Sequence, residues 1–181
     1  MEPWRERLAA RLADYAARAT DPGEAAMAAG YAPFIRAHAD CLLRACRPGH
    51  LTASAWIVDA ARRHTLLTHH HKLDRWLQLG GHADGEPDLL ASALRESREE
   101  SGLTLVRAVS PEIFDVDRHR IPARGDEPEH WHYDVRFLLE ADPAEPLTVS
   151  NESKDLAWVK LARVAELNPS ESLGRMVRKT R

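Results

Sequence analysis

The spacing of hydrophobic and polar residues changes near residue 49. Over 4–19, apolar side chains recur every three to four positions in an Ala-, Leu- and Arg-rich stretch, which predicts a helix. The sequence Asp-Pro-Gly at 21–23 breaks this pattern. A second helical stretch is predicted over 24–45, with an interruption near Gly30 and Pro33 as an alternative. The N-terminal quarter of the chain is therefore predicted to be helical.

Beyond residue 49 the pattern is typical of strands that alternate with fewer helices. Strands are predicted over 51–58, 64–70, 76–79, 103–109, 113–119, 130–140 and 155–159. Helices are predicted over 87–101, 162–167 and 172–179. The first of these helices ends before Gly102, which suits a left-handed C-cap position. The fold class predicted is α+β with a mixed sheet, divided into an N-terminal helical extension over 1–48 and a domain over 49–181.

Composition and charge narrow the function classes. The chain has 181 residues, of which 44% are hydrophobic and 29% charged, so it can bury a core. Its net charge of −3 argues against a protein that holds nucleic acid by bulk positive charge. The two cysteines, Cys41 and Cys46, cannot build a disulfide framework and are interpreted as reduced thiols. With no signal-like or membrane-length apolar run, we expect a cytoplasmic protein without a membrane partner.

Three glutamates on the central predicted helix are the first candidates for chemistry. Glu96, Glu99 and Glu100 lie at positions i, i+3 and i+4, so their carboxylates project from one helix face. Like charges at this spacing oppose the helix by roughly 0.2–0.5 kcal/mol per pair, and a bound divalent cation would offset that repulsion. Oxygen ligands of this kind suit Mg²⁺ or Mn²⁺. A solvated acidic face is the alternative interpretation.

The spacing around these glutamates resembles the Nudix box, Gly-x5-Glu-x7-Arg-Glu-U-x-Glu-Glu-x-Gly-U, in which U is a bulky aliphatic residue. The positions in register are Gly81, Arg95, Glu96, Glu99, Glu100, Gly102 and Leu103. Two positions depart from the box. Pro87, flanked by Glu86 and Asp88, stands where the box has its early glutamate, and Ser97 occupies an aliphatic position. The first departure puts the usual salt bridge of the box arginine in doubt but leaves the metal carboxylates in place.

The resemblance covers about residues 50–168 and implies a Nudix hydrolase: a mixed sheet sandwiched between helices that cleaves a nucleoside diphosphate linked to another moiety by water attack on phosphorus. It implies Mg²⁺ or Mn²⁺ as cofactor, held by Glu96, Glu99, Glu100, a backbone group of Gly81 and, from a late loop, Glu152. An ordinary loop acid is the alternative for Glu152. Arg95 would orient the glutamates, and Glu99 would serve as the general base.

Outside the box, histidines and one tryptophan are candidates for substrate binding. His130, His132 and Asp134 share one face of a predicted strand and could face the substrate. A solvated strand end and a His/Asp zinc site are the alternatives, although the spacing matches no closed zinc pattern. His82 directly follows the double glycine and could contact the diphosphate. Trp76, on the approach to the glycines, could stack on a nucleobase.

Several alternatives remain open from the sequence. A catalytically silent Nudix-fold sensor or regulator would keep the fold without turnover, although its box would usually be degraded. The expected partner is a small nucleoside diphosphate derivative, and nucleic acid is disfavoured because no basic stripe is visible. Sequence marks outside the box that distinguish particular substrates are missing, so the substrate stays open. The N-terminal helices could cap the sheet or form a homodimer interface.

Overall fold

The computed structural model describes residues 2–151 and 153–180, which group into two compact units. The first unit comprises the described residues up to Ala53 together with 82–89 and 113–136. The second comprises 54–81, 90–112 and the described residues from 137 onward.

The helices are α1 (Pro3–Arg18), α2 (Pro22–Ala28), α3 (Tyr31–Ala37), α4 (Leu89–Ser101), α5 (Val164–Leu167) and α6 (Glu171–Lys179). The strands are β1 (Gly49–Val58), β2 (His64–His70), β3 (Arg75–Leu77), β4 (Leu79–His82), β5 (Arg107–Ala108), β6 (Asp115–Ile121), β7 (His130–Glu140) and β8 (Ser153–Lys160). A 3₁₀ turn at Leu161–Arg163 leads into α5.

The second unit contains strands β2, β3, β5 and β8 and parts of β1, β4 and β7. Its strands follow the order β3-β2-β1-β7-β5, while β8 pairs antiparallel along the length of β2 and β4 pairs with β1. Trp56, Leu66 and Leu67 are fully buried on these strands. The Trp56 indole Nε1 donates a 2.8 Å hydrogen bond to the Thr180 hydroxyl, so the strand core is joined to the residue that follows α6.

In the first unit, the N-terminal helices cover the antiparallel β6–β7 pair. The Phe34 ring of α3 stacks on Tyr133 of β7 with ring centroids 4.0 Å apart. The Tyr31 hydroxyl lies 2.6 Å from the backbone carbonyl oxygen of Asp117 in β6. The buried Arg5 guanidinium donates to the Ile35 carbonyl at 2.9 Å and so satisfies an acceptor at the end of α3. These contacts give the helices a role in capping strands.

The predicted α+β class with a mixed sheet is confirmed, and most element boundaries agree to within two residues. The interruption considered near Gly30 is present, because the chain forms α2 and α3 on either side of it. The helical prediction is wrong over 38–45, where the chain forms turns. Backbone bonds between residues three apart, such as Cys41 N–H to the His38 carbonyl at 3.3 Å, replace the helical ladder there. The strand predicted over 103–109 shortens to β5, whose residues Arg107 and Ala108 pair with Glu140 and Leu139 of β7.

Two further sequence predictions concern the cysteines and the membrane. Cys41 and Cys46 are both buried and form no disulfide, as expected. Burial raises the pKa of the Cys41 thiol to about 11 and that of the Cys46 thiol to about 12, so both are held as neutral thiols. Across the described residues, no helix combines the length and the apolar character needed to cross a membrane.

Candidate active site

The turn at Gly80 and Gly81 lies against the carboxylate face of α4. The Gly80 backbone N–H donates a 3.0 Å hydrogen bond to Oε2 of Glu100, whose residue is 7% exposed. A Cβ built on Gly81 would stand 2.5 Å from both Cδ and Oε2 of Glu96, closer than real Cβ atoms approach. A side chain at 81 would therefore displace the Glu96 carboxyl group, which occupies the space that its Cβ would fill.

Arg95 links two of the three glutamates. Its guanidinium Nη1 lies 2.8 Å from Oε1 of Glu96 and 3.4 Å from Oε2 of Glu99. The Glu96 side chain is 15% exposed, whereas that of Glu99 is 60% exposed. The box arginine thus has carboxylate partners on its own helix although Pro87 replaces the early glutamate. The geometry agrees with the orienting role that the resemblance implies for Arg95, which stays a prediction.

Small polar residues allow α4 to bury its other face. Ser97, at the position where the box has an aliphatic residue, is fully buried, and its hydroxyl donates to the Ala93 carbonyl at 2.6 Å. Ser101, one turn later, is also fully buried and donates to the Ser97 carbonyl. Serine is tolerated in the core here because the backbone one turn earlier accepts its hydrogen bond. The departure at position 97 therefore leaves the helix intact.

The end of α4 has the left-handed conformation predicted for Gly102. Its φ is +74°, and its backbone N–H donates to the Arg98 carbonyl at 2.8 Å. A Cβ at this position would lie 2.8 Å from Cβ of Thr148, so the residue is required to be glycine both by backbone conformation and by space. This stop places the three glutamates in the last two turns of the helix.

The donor set of this face fits a hard divalent cation. Glu96, Glu99 and Glu100 supply carboxylate oxygens from adjacent turns of one helix, and carboxylate oxygen is the ligand type that Mg²⁺ and Mn²⁺ prefer. Gly81 brings its backbone next to the Glu96 carboxyl group. Glu152, the further acid considered from the sequence, lies outside the described residues.

A family model describes this chain. The NUDIX domain model matches residues 48–179, well over half of the sequence. The chain belongs to the NUDIX domain family. It is therefore a Nudix hydrolase, an enzyme acting on phosphoric anhydride bonds, as the box spacing predicted. No curated protein matches the sequence.

Solved structures share the fold of this Nudix chain. An E. coli dihydroneopterin triphosphate pyrophosphohydrolase is 14% identical over 71% of this chain and 92% of its own, with a TM-score of 0.58. A C. elegans Ap4A hydrolase in a binary complex is 19% identical over 71% and 93% of the two chains, with a TM-score of 0.57. A Nudix hydrolase from M. smegmatis, RenU, is 18% identical over 72% and 82%, with a TM-score of 0.51. At these identities the likeness concerns the fold.

The Nudix chain also groups the candidate histidines, together with one that sequence reasoning missed. His50 at the start of β1 has its ring centroid 5.0 Å from that of His82, 4.9 Å from His130 and 4.8 Å from His132. His130 is 6% exposed, so the alternative of a solvated strand end is wrong for it. Asp134 instead binds the Arg136 guanidinium at 2.8 Å. The predicted strand 51–58 begins one residue after His50, so the sequence pattern did not assign His50 to a face of that strand.

Burial sets the protonation of these rings. Desolvation, followed by the neighbouring histidines, lowers the pKa of His50 to about 4 and that of His132 to about 2. Desolvation also lowers the pKa of His82, with Arg44 adding to the effect. The imidazoles of His50, His82 and His132 are therefore neutral at physiological pH. The contacts with substrate suggested for His82, His130 and His132 stay predictions.

Trp76 lies in β3, in a different environment from the histidine group. Its ring stacks on His69, with centroids 5.1 Å apart and planes 14° from parallel. It also lines a pocket of about 440 Å³ together with Trp158, Asp155 and Arg163. The indole Nε1 of Trp158 is buried and has no hydrogen-bond partner among the described residues. The pocket thus offers aromatic surface and polar groups within one unit, while base stacking by Trp76 stays a prediction.

Proposed function

We propose that this Nudix hydrolase is a divalent-metal-dependent pyrophosphohydrolase that cleaves the diphosphate of a nucleoside diphosphate linked to another moiety. The observation that carries the proposal is the carboxylate face of α4, formed by Glu96, Glu99 and Glu100, packed against the Gly80-Gly81 turn. All metal carboxylates of the box are present. This completeness favours an enzyme over a silent sensor of the same fold.

Mg²⁺, or Mn²⁺ in its place, is the proposed cofactor, and the three glutamates would hold it. The chemistry that such a cation supplies is neutralisation of diphosphate oxygens and acidification of water. Glu100 is nearly buried and fixed by the Gly80 N–H, which suits a rigid ligand. Glu96 is fixed between Arg95 and the Gly81 backbone, which suits the same role. A hard-oxygen site of this kind needs no other protein ligand type.

Glu99 is proposed as the general base. Its side chain is 60% exposed, so water reaches its carboxylate, and Arg95 at 3.4 Å keeps that carboxylate on the metal-facing side of the helix. The base would take a proton from the water that attacks phosphorus. Two phosphorylated products would leave, one from each side of the cleaved anhydride.

The remaining predictions follow the same proposal. The domain over 49–181 would carry the activity, and the 1–48 segment would serve as its helical extension. Trp76 would stack on the nucleobase of the substrate. A homodimer and a cytoplasmic location stay predictions, the second of them resting on the two free thiols.

A substrate screen tests this function. The full-length protein is incubated with nucleotide sugars, nucleoside triphosphates, dinucleoside polyphosphates and other nucleoside diphosphate derivatives, with Mg²⁺, with Mn²⁺ and with excess chelator. Hydrolysis in ¹⁸O-labelled water, followed by mass spectrometry, identifies the phosphorus attacked. We expect metal-dependent release of two phosphorylated products, one of which carries a single ¹⁸O atom from the attacking water. Binding of a derivative without any turnover would instead favour the silent sensor.

A further inference from the structure

His50 has an unexplained environment in the first unit. Its residue is 1% exposed, and within the part of the chain that the structure describes neither Nδ1 nor Nε2 has a hydrogen-bond partner. Leaving a buried polar group unsatisfied costs about 1–3 kcal/mol per group, so native proteins rarely do so without reason. The ring is held among other imidazoles, with centroids 4.8–5.0 Å away. A ligand that accepts nitrogen lone pairs would remove this cost.

The ring nitrogens converge at one point. One nitrogen each from His50, His130 and His132 lies within 4.8 Å of the other two. Nε2 of His130 and Nε2 of His132 are 3.3 Å apart. A tetrahedral ion with metal–nitrogen bonds of about 2.0–2.1 Å separates two of its ligand nitrogens by roughly 3.3–3.4 Å. The observed separation of this pair therefore equals that of two imidazoles sharing one ion.

The tautomer of His130 leaves its Nε2 unprotonated, as metal binding through that nitrogen requires. Its Nδ1 lies 2.9 Å from the Pro128 carbonyl oxygen, which can only accept, so Nδ1 carries the proton. The lone pair is then on Nε2, the atom that faces His132. A metal-ligating histidine usually donates its other ring N–H to a carbonyl or carboxylate in this way.

The backbone holds the three rings at the junction of two strands. His50 follows Gly49 at the start of β1, and the other two histidines begin β7. The Trp131 N–H donates to the Pro48 carbonyl at 3.2 Å, so the two strand starts are joined beside the rings. A Cβ on Gly49 would lie 2.3 Å from the Trp131 carbonyl oxygen, which shows how closely these backbones approach. The ligand nitrogens therefore lie on rigid elements, as a preorganised metal site requires.

We propose that His50, His130 and His132 bind one divalent transition-metal ion of the zinc class, in a site whose ligands differ from those of the α4 carboxylates. Imidazole nitrogen suits Zn²⁺, whereas the carboxylates suit Mg²⁺ or Mn²⁺, so the two ligand sets select different ions. Three histidines leave one tetrahedral position for a further ligand, and the His82 ring is adjacent, with its centroid 5.0 Å from that of His50. The ion would tie the start of β1 to the start of β7. This proposal does not rest on the proposed function.

Metal binding by the full-length protein tests the site. The chain is stripped with a chelator, dialysed, and titrated with Zn²⁺ against a chromophoric competitor in excess Mg²⁺. A parallel titration with Co²⁺ follows the visible absorption of a tetrahedral nitrogen-ligated ion. We expect one Zn²⁺ per chain that excess Mg²⁺ does not displace, and a Co²⁺ spectrum with intense tetrahedral bands. Failure of the stripped protein to bind Zn²⁺ in the presence of Mg²⁺ would overturn the proposal.

Variants assign the ion to its ligands. His50→Gln and His132→Gln should each lower Zn²⁺ affinity by about 100-fold or more and abolish the Co²⁺ bands. Because His50 is fully buried, His132→Gln supplies a second ligand variant in case His50→Gln does not fold. Circular dichroism checks the folding of both variants. His71→Gln, at an exposed histidine, should bind within twofold of wild type. Glu100→Gln should also retain the ion, because its carboxylate belongs to the other ligand set. Zn²⁺ binding that both histidine variants preserve, or that Glu100→Gln abolishes, would show that the ion lies elsewhere.

Discussion

The substitution Gly81→Ala separates the geometry of the metal carboxylates from the stability of the fold. The added Cβ would meet Cδ and Oε2 of Glu96 at 2.5 Å, whereas ordinary van der Waals contact begins near 3.4 Å. The Glu96 carboxyl group must therefore move by roughly 1 Å. It lies at the end of a flexible side chain, so the helix can stay in place. We expect the free energy of unfolding to change by less than about 1 kcal/mol.

The effect on catalysis should be much larger than the effect on stability. Misplacing a catalytic group by about 1 Å costs on the order of 100-fold in rate, which corresponds to about 2.7 kcal/mol of transition-state stabilisation. We therefore expect kcat/KM of Gly81→Ala to fall about 100-fold, and the Mg²⁺ concentration for half-maximal activity to rise. Steady-state assays over a Mg²⁺ series measure both quantities. Urea denaturation of the same preparations measures stability.

A second glycine in the second unit supplies the matched control. Gly174 lies in α6, and a Cβ there would meet nothing closer than 3.4 Å. Gly174→Ala should leave the Mg²⁺ dependence unchanged and stabilise the helix by about 0.5–1 kcal/mol. The reasoning about Gly81 would be refuted if Gly81→Ala kept kcat/KM within threefold of wild type at every Mg²⁺ concentration. It would also be refuted if the activity loss simply followed unfolding.

Three further predictions concern stability. Thr180→Val removes the acceptor of the buried Trp56 indole N–H and should lower the free energy of unfolding by about 1–3 kcal/mol in urea titrations, while Thr180→Ser should restore most of it. Arg136→Met leaves three neighbouring aspartates without their buried guanidinium partner and should lower the free energy of unfolding by about 3–5 kcal/mol in urea titrations. A loss below about 1 kcal/mol would contradict this prediction. Burial opposes ionisation of Asp59, but hydrogen bonds from the His64 side chain and from backbone N–H groups outweigh it and hold the pKa of Asp59 below its usual 3.8. The stability from this carboxylate is therefore present above about pH 4 and lost as the pH falls through the folded-state pKa. Asp59→Asn should accordingly be less stable than wild type at pH 7, with the difference shrinking toward pH 3 in urea titrations; a difference independent of pH would contradict the assignment.

The candidate metal site is predictable from sequence because its geometry is local. The spacing of Glu96, Glu99 and Glu100 determines that they share a helix face, whatever the rest of the chain does. The left-handed conformation of Gly102 is likewise a property of the helix end. The contact between Gly81 and Glu96 needs only one turn packed against one helix. Local periodicity and the family spacing together were sufficient here.

The histidine group depends on strand pairing, which local patterns do not reveal. His50 and His130 are separated by most of the domain sequence, and they meet because β1 and β7 start side by side. The face shared by His130 and Asp134 suggested a common role, yet the Asp134 carboxylate turns to the Arg136 guanidinium. The sequence pattern also continued the helical stretch to residue 45, whereas the chain forms turns from residue 38 onward. In each case long-range packing decided between locally similar alternatives.

The assignment of the active site to the α4 glutamates is tested most directly by comparing wild type with Glu99→Gln and Glu100→Gln in Mg²⁺-dependent hydrolysis of a substrate found by screening. The amide oxygen of glutamine can still accept the Gly80 N–H bond, so Glu100→Gln should fold normally. Glu112→Gln, at an exposed carboxylate outside the site, is the control. Each site variant should lose at least 100-fold in kcat/KM, while the control should stay within twofold of wild type. Metal-dependent turnover that persists in both site variants would contradict the assignment of the active site.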